Sequence, residues 1–184
     1  LDVEECFLQS EISNRILNFT RNFFKNRKVS IYNNNSDSGY LRNLVIRQSY
    51  HRKDLMVNLV TSEYDEALTE EYTSRMMMEI SEITTVVNNI NTKKALIAFG
   101  EYEKVIRGNG YIFDEIGEKV FRISANSFFQ TNTRQAGKLY SAINEFAEPS
   151  ENDIVYDLFS GAGTISIYIS NKVKYVYGFE SVTQ

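Results

Sequence analysis

Between Glu11 and Lys28 apolar side chains return every three or four residues, at Ile12, Ile16, Phe19 and Phe23, and the run closes on Lys25, Arg27 and Lys28. That period predicts an amphipathic helix with cations at its C-terminal end. Val29 to Tyr32 reads as a short strand, and Asn33 to Gly39 as a polar loop. Leu41 to Tyr50 and Leu55 to Thr61 alternate and are rich in β-branched residues, so they predict a hairpin joined by His51-Arg52-Lys53-Asp54. Leu68, Tyr72, Met76, Ile80 and Ile83 are spaced for one long helix from Tyr64 to Asn89. Strand character returns at Ala95 to Phe99, Tyr111 to Ile116 and Lys119 to Ile123, with Gly108, Gly110 and Gly117 at turns. A further amphipathic helix is predicted from Thr133 to Ala147, then two apolar runs, Ile154 to Leu158 and Val173 to Phe179, with room between them for one short helix. No segment repeats.

The chemistry is concentrated around the last two runs. Asp157-Leu158-Phe159-Ser160-Gly161-Ala162-Gly163-Thr164 ends the first, and Glu180 ends the second. A parallel strand that ends in a glycine turn brings bare backbone N–H groups close to a ligand, and an acid at the end of the next strand can accept hydrogen bonds from ribose hydroxyls. The third glycine of the dinucleotide fingerprint is missing, because Ser166 and Ile167 stand in its place. A pyrophosphate needs that third close approach, which argues against NAD or FAD. S-adenosylmethionine carries no phosphate and asks only for a tight turn, a ribose acid and apolar cover, and Phe159 is available as cover. The glycines alone also fit an ordinary tight turn.

Composition narrows the classes. A chain of 184 residues holds one ample domain or two small ones, and 42% hydrophobic with 24% charged residues is an ordinary mix for a soluble globule. No apolar run approaches the roughly 20 residues of a membrane span, and Leu1 to Glu5 has neither a basic start nor an apolar core, so a cytoplasmic protein without membrane contact is expected. One cysteine excludes an internal disulfide, and one histidine argues against a histidine metal cluster within the chain. A net charge of −4 is not the positive field of a protein that grips nucleic acid mainly through phosphates, so any such contact has to be local or made by other segments.

Upstream of the glycine turn stands Ser124-Ala125-Asn126-Ser127-Phe128-Phe129-Gln130-Thr131-Asn132. The F-F-Q-x-N element, a helix, D-L-F-x-G-x-G-T and then Gly178-Phe179-Glu180, in that order and spacing, resemble the RNA (uracil-C5-)methyltransferases that make 5-methyluridine, and the look is closest to the ribosomal RNA branch. Gly39 to Arg47 is similar to that family's G-x-L-R-x-L-x-I-R strand. The resemblance implies an α/β fold: an α+β central domain over residues 1–124, then from 125 to 184 the first strands of a Rossmann-like S-adenosylmethionine-dependent methyltransferase sheet. An RNA-binding barrel would precede Leu1 and the catalytic half would follow Gln184, so a central fragment, silent alone, is expected. The implied reaction transfers a methyl group to C5 of a uridine, in 23S-type ribosomal RNA before transfer RNA, through a cysteine adduct at C6 and removal of the C5 proton by a carboxylate. Implied partners are RNA and not DNA, with a monomer when intact.

The resemblance carries cofactor-binding roles to Gln130, Phe159, Gly161, Gly163, Thr164 and Glu180, and no catalytic residue. Each role has a plainer alternative. Gln130 would otherwise be a helix-capping amide near Thr131, Phe159 a core ring, Thr164 a helix cap and Glu180 a solvated strand-end carboxylate. Asp157 reads as a brace that accepts backbone N–H groups, and Ser160 stands where relatives often carry a cysteine that is not the nucleophile. Cys6 matches the last cysteine of an iron–sulfur set found in some members, with the other ligands before Leu1. Whether a cluster exists stays open, beside the reading of a buried thiol. His51 is expected to be a solvated residue in a charged turn. Arg42, Arg47, Arg52, Lys53, Lys93, Lys94, Arg107, Arg122 and Arg134 are candidates for phosphate contacts, and Tyr40, Tyr50, Tyr102 and Tyr111 for base stacking, where only a cluster would matter. Two other functions remain open: methylation of a different substrate by the same cofactor fold, and a non-catalytic RNA-binding module.

Overall fold

Helix α1 (Glu11–Asn26) begins where Ser10, in an extended conformation, accepts the Ser13 N–H on its Oγ at 3.2 Å, and it turns Ile16, Phe23 and Phe24 into the interior. The computed structural model describes residues 3–94 and 98–181, which form two compact units, Leu1–Gln48 with Lys53–Ile112, and Ser49–Arg52 with Phe113–Gln184. In the first unit β1 (Leu41–Gln48) and β2 (Leu55–Thr61) pair as the expected antiparallel hairpin, with the strand ending two residues short of Tyr50. Helix α2 (Glu66–Glu79), capped by the Asp65 carboxylate on the Leu68 N–H at 3.0 Å, carries the chain to β3 (Thr85–Ile90), which runs parallel to β2. Strand β4 (Tyr102–Arg107) closes the sheet antiparallel to β3, in the order β1-β2-β3-β4.

This corrects the single long helix from Tyr64 to Asn89. The apolar spacing does continue to Ile80 and Ile83, but the helix stops at Glu79 and Ile80 takes φ −127°. Thr84-Thr85-Val86-Val87 is a β-branched run that loses side-chain freedom in a helix and packs well on a pleated sheet. Val86 and Val87 point to opposite faces of β3, and both are fully buried. Two smaller differences follow. Val29 to Tyr32 forms no strand, only an isolated bridge from Ile31 to Leu41. Of the strand expected at Ala95 to Phe99, residues 95–97 lie outside the described residues and Ala98 and Phe99 are not in a strand, whereas β4 was not foreseen.

One face of this sheet is covered by a single apolar cluster. Leu55, Val57 and Leu59 from alternate positions of β2 meet Ile16, Phe23 and Phe24 of α1 and Tyr72 and Met76 of α2. Tyr72 is packed against Phe23 and Phe24, with ring centroids 5.3 and 4.9 Å away, and its hydroxyl is paired with Thr20 Oγ1 at 2.7 Å. Burial pushes its pKa up, so it stays neutral.

The second unit contains β6 (Lys119–Ser124), which pairs with β5 (Tyr111–Ile116) across the turn at Gly117, and helix α3 (Thr133–Ala147) with the expected bounds. Strands β7 (Ile154–Leu158) and β8 (Tyr175–Phe179) run parallel in direct register, Ile154 beside Tyr175 and Leu158 beside Phe179. They are joined by α4 (Thr164–Ile169) and a tight helical turn at Ser170–Lys172. A parallel pair needs such a crossover.

Candidate functional site

The register of β7 and β8 puts the residues after Leu158 and after Phe179 side by side. Ser160 donates its N–H to the Phe179 carbonyl at 3.0 Å, and Gly161 donates its N–H to Glu180 Oε2 at 2.8 Å. The glycine turn and the ribose acid of the sequence reading are therefore one hydrogen-bonded unit. Phe159 (φ +61°), Gly161 (φ +54°) and Gly163 (φ +69°) all take the left-handed conformation. Glycine does so without steric cost, but for Phe159 it costs on the order of 1–3 kcal/mol, the kind of strain that gathers at ligand sites. The Phe159 ring is 90% exposed, so it is no core residue. A Cβ built at Gly161 would meet no protein atom within 4 Å, so the space above this turn is open to a ligand. Gly178 is different: a Cβ there would stand 3.1 Å from Ser160 Oγ, and glycine lets β8 pass close beneath the turn.

Asp157 braces the helix that follows. Its Oδ2 accepts the Ser166 N–H at 3.2 Å and the Ser166 hydroxyl at 2.6 Å. Thr164 is the first residue of α4, and its hydroxyl is paired with the Tyr140 hydroxyl of α3 at 2.7 Å, while the capping position belongs to Gly163 without a side-chain bond. Gln130 lies in the segment leading to α3, and the amide that caps α3 is that of Asn132, which accepts the Gln135 N–H at 3.1 Å. Gln130 lines an open depression with Thr131, Asn132, Gln135, Ala136, Lys138 and Leu139. The turn residues are not among them, so Phe159, Gly161, Gly163, Thr164 and Glu180 form one group and Gln130 another.

A polar centre that the sequence reading missed lies in the same unit. Asp114 is 1% exposed, and its carboxylate accepts hydrogen bonds from Ser49 Oγ (2.9 Å), Tyr50 N–H (3.1 Å), His51 N–H (3.0 Å), Glu115 N–H (2.9 Å) and Thr133 Oγ1 (2.7 Å). Burial pushes its pKa up, but the bonds from Tyr50, His51, Thr133 and Glu115 outweigh burial and hold it below the usual carboxylate value. His51 was expected to be solvated; it is partly exposed, and its Nδ1 lies 3.3 Å from the same carboxylate. The signal was in the alternation: Asp114 shares a strand face with Ile112 and Ile116, which both turn inward.

The residues at the β7–β8 junction fit an adenosyl cofactor: open space over a tight glycine turn, an exposed aromatic ring and a carboxylate at the end of the neighbouring strand. Cys6 is half-buried ahead of α1, with its N–H given to Asn14 Oδ1 at 3.1 Å and its carbonyl accepting from Asn14 Nδ2 at 3.2 Å. Among the described residues no group of three or more His, Cys, Asp or Glu is placed to hold a metal ion, and no helix is long and apolar enough to cross a membrane.

No family model matches the chain. It is 45% identical over 183 residues to an uncharacterized RNA methyltransferase of Chlorobaculum tepidum, a match that covers 99% of this chain and 38% of that protein. A second uncharacterized RNA methyltransferase, from Clostridium acetobutylicum, is 35% identical over 184 residues, covering 100% of this chain and 40% of its own length. Among solved structures the chain is similar to the Pyrococcus abyssi tRNA (uracil-54, C5)-methyltransferase in complex with S-adenosyl-L-homocysteine, at 28% identity and TM-score 0.79, covering 99% of this chain and 43% of that one. The chain thus spans about two fifths of the length of the relatives it matches. Its fold is the mixed α/β architecture of an S-adenosylmethionine-dependent methyltransferase, as the sequence led one to expect.

Proposed function

We propose that this chain carries the cofactor turn of an S-adenosylmethionine-dependent RNA methyltransferase, and that the protein containing it methylates C5 of a uridine, in ribosomal RNA first and transfer RNA second. The observation that carries the reading is the β7–β8 junction, where a strained, exposed Phe159 and two left-handed glycines sit against Glu180, which accepts the Gly161 N–H. Similarity to uncharacterized RNA methyltransferases along 99% of the chain supports the RNA, and the fold shared with a tRNA (uracil-54, C5)-methyltransferase supports the uracil. In this reading residues 1–124 are the central domain, and residues 125–184 begin the cofactor domain of a cytoplasmic protein that is a monomer when intact.

Bound S-adenosylmethionine supplies an electrophilic methyl group. Glu180 accepts hydrogen bonds from its ribose hydroxyls, Gly161 and Gly163 allow close backbone approach, and Phe159 covers apolar surface. Thr164 borders the same ligand from the start of α4, and Gln130, which lines a separate depression, would have to reach it from the segment before α3. Asp157 keeps α4 in place and touches no ligand. Uracil C5 is a poor nucleophile until a thiolate adds to C6; C5 would then take the methyl group from the sulfonium, with S-adenosylhomocysteine as the leaving group, and removal of the C5 proton by a carboxylate would expel the thiolate from C6. Cys6, held ahead of α1 in the first unit, is not assigned that thiolate.

Calorimetric titration of the full-length protein with S-adenosylhomocysteine tests the cofactor part. Glu180→Ala should weaken binding by about 1–3 kcal/mol, while Asp157→Ala should lower stability more than affinity. Unchanged affinity in Glu180→Ala would remove the ribose assignment. Nucleoside analysis of ribosomal and transfer RNA from cells lacking the gene should show the loss of one 5-methyluridine, and an unaltered 5-methyluridine content would remove the uracil assignment.

A further inference from the structure

The tip between β1 and β2 is held far more firmly than a surface turn requires. Ser49 Oγ donates to Asp114 Oδ1 at 2.9 Å and accepts the Arg52 N–H at 3.0 Å, while the Tyr50 and His51 N–H groups both go to the Asp114 carboxylate. Three successive backbone donors are thus satisfied from inside. Their side chains nevertheless reach the surface: Tyr50 is 60% exposed, and His51, Arg52 and Lys53 are exposed beside it, with His51 Nδ1 turned back to within 3.3 Å of the Asp114 carboxylate. The Tyr50 and His51 rings meet edge to face, with centroids 4.8 Å apart at 82°. A buried carboxylate has been spent on fixing two aromatic rings and a cation on the surface.

Such an arrangement is pre-paid for binding, because a tip that is already ordered loses little freedom when a ligand arrives. Its chemistry suits one ligand class. An exposed, rigid aromatic face stacks on an unpaired base, and cations beside it meet the phosphates. The anionic groups at its base are committed, Asp114 to its donors and Glu115 to Arg52 at 2.7 Å. Lys53 makes no ion pair among the described residues, which leaves its charge available. In a chain of net charge −4, contact with a polyanion has to be local, and this four-residue run of two rings and an unpaired Lys53, beside an Arg52 already paired with Glu115, is such a patch.

We infer that Tyr50, His51 and Lys53 form a docking point for single-stranded RNA, with Tyr50 stacking on a base and Lys53 on a neighbouring phosphate, and with the Tyr50 and His51 backbone held in position by Asp114. This rests on the proposed RNA methyltransferase reading and adds to it the place where the unpaired strand is gripped. The test is fluorescence anisotropy of labelled oligouridine with the full-length protein at several salt concentrations, with S-adenosylhomocysteine affinity measured on the same samples. Tyr50→Ala should weaken RNA binding about 5- to 150-fold, the range for loss of one stacked base, and Tyr50→Phe should retain it. Lys53→Ala should reduce the slope of log affinity against log salt by about 0.7, the value for one phosphate contact on a single strand. Binding within about twofold of the parent in Tyr50→Ala with an unchanged salt slope in Lys53→Ala overturns the docking point, as does a parent protein that binds no oligouridine. If the parent binds RNA and S-adenosylhomocysteine normally in either case, the methyltransferase reading stands without it. Loss of cofactor binding by the parent protein would strike that reading instead.

Discussion

Among the described residues two parallel strand pairs are joined by helices, and they differ in what covers them. In the first unit β2 and β3 lie between β1 and β4, and every residue from Leu55 to Thr61 and from Thr85 to Ile90 is buried. In the second unit β7 and β8 stand as a pair. Asp157 and Gly178 face α4, but Ile154, Tyr156, Leu158, Tyr175, Tyr177 and Phe179 share the other face and are all exposed, several of them stacked ring on ring, such as Tyr156 on Tyr177 at 5.6 Å. Parallel pairs are ordinarily covered on both faces, and a two-stranded sheet is marginal alone. The first pair is therefore buried on both faces, while the second carries the candidate cofactor turn on a frame whose apolar face lacks cover among the described residues. Elsewhere the second unit buries apolar side chains, among them Ile116, Phe121, Ile123, Phe129 and Tyr140, together with two polar centres, the Asp114 carboxylate and the Asp157–Ser166 brace.

The sharpest way to break this contrast is to remove its largest buried ring. Tyr72→Ala should destabilise the first unit by about 3–5 kcal/mol in denaturant titration, from lost burial and the cavity left behind. Native-state hydrogen exchange on the unmodified protein should agree, with strong protection in β2 and β3 and weak protection in β7 and β8. Equal protection in both pairs would mean that the exposed face is covered in solution, and the contrast would fall.

Asp114→Asn comes next, because an amide cannot accept from all the donors that converge there. A cost of about 1–3 kcal/mol is expected at neutral pH. The sign with pH follows from the lowered folded-state pKa: the stabilisation is present above the unfolded carboxylate value and is lost as pH falls through the lower folded one. Denaturation followed from neutral to acid pH should thus show the two proteins converging at the acid end. A constant gap at every pH would place the effect in packing rather than in the carboxylate charge. The smallest change is expected from Tyr177→Ala on the bare face, about 1 kcal/mol or less from one lost ring contact. A loss comparable to that of Tyr72→Ala would show that this face is buried in the working protein.

Local rules account for much of what was legible beforehand. Helix α1, the β1–β2 hairpin, α3 and the order strand, glycine turn, short helix, strand at the C-terminal end each follow from a period or a turn residue within a short window, and such windows are self-contained. The boundary between α2 and β3 was not legible, because the apolar spacing of Ile80 and Ile83 serves either element and the choice was made by pairing with β2, nearly thirty residues away. Strand β4 was hidden for the same reason, since five of its six residues are exposed and its pattern records pairing with β3 rather than burial.

At the candidate site, the amino-acid order determined the residue types: glycines where the backbone must turn left-handed, an acid at the end of the next strand, and a serine or asparagine before each of the longer capped helices α1 and α3. Only the tertiary structure decided which of these groups meet. Glu180 reaches the Gly161 N–H because the two strands are parallel and in register, and Thr164 is taken by Tyr140 from a separate helix. Asp114 collects donors from positions 49–51 and 133, far apart along the chain. A hydrogen bond is read in ångströms, and its partners can be separated by any length of sequence.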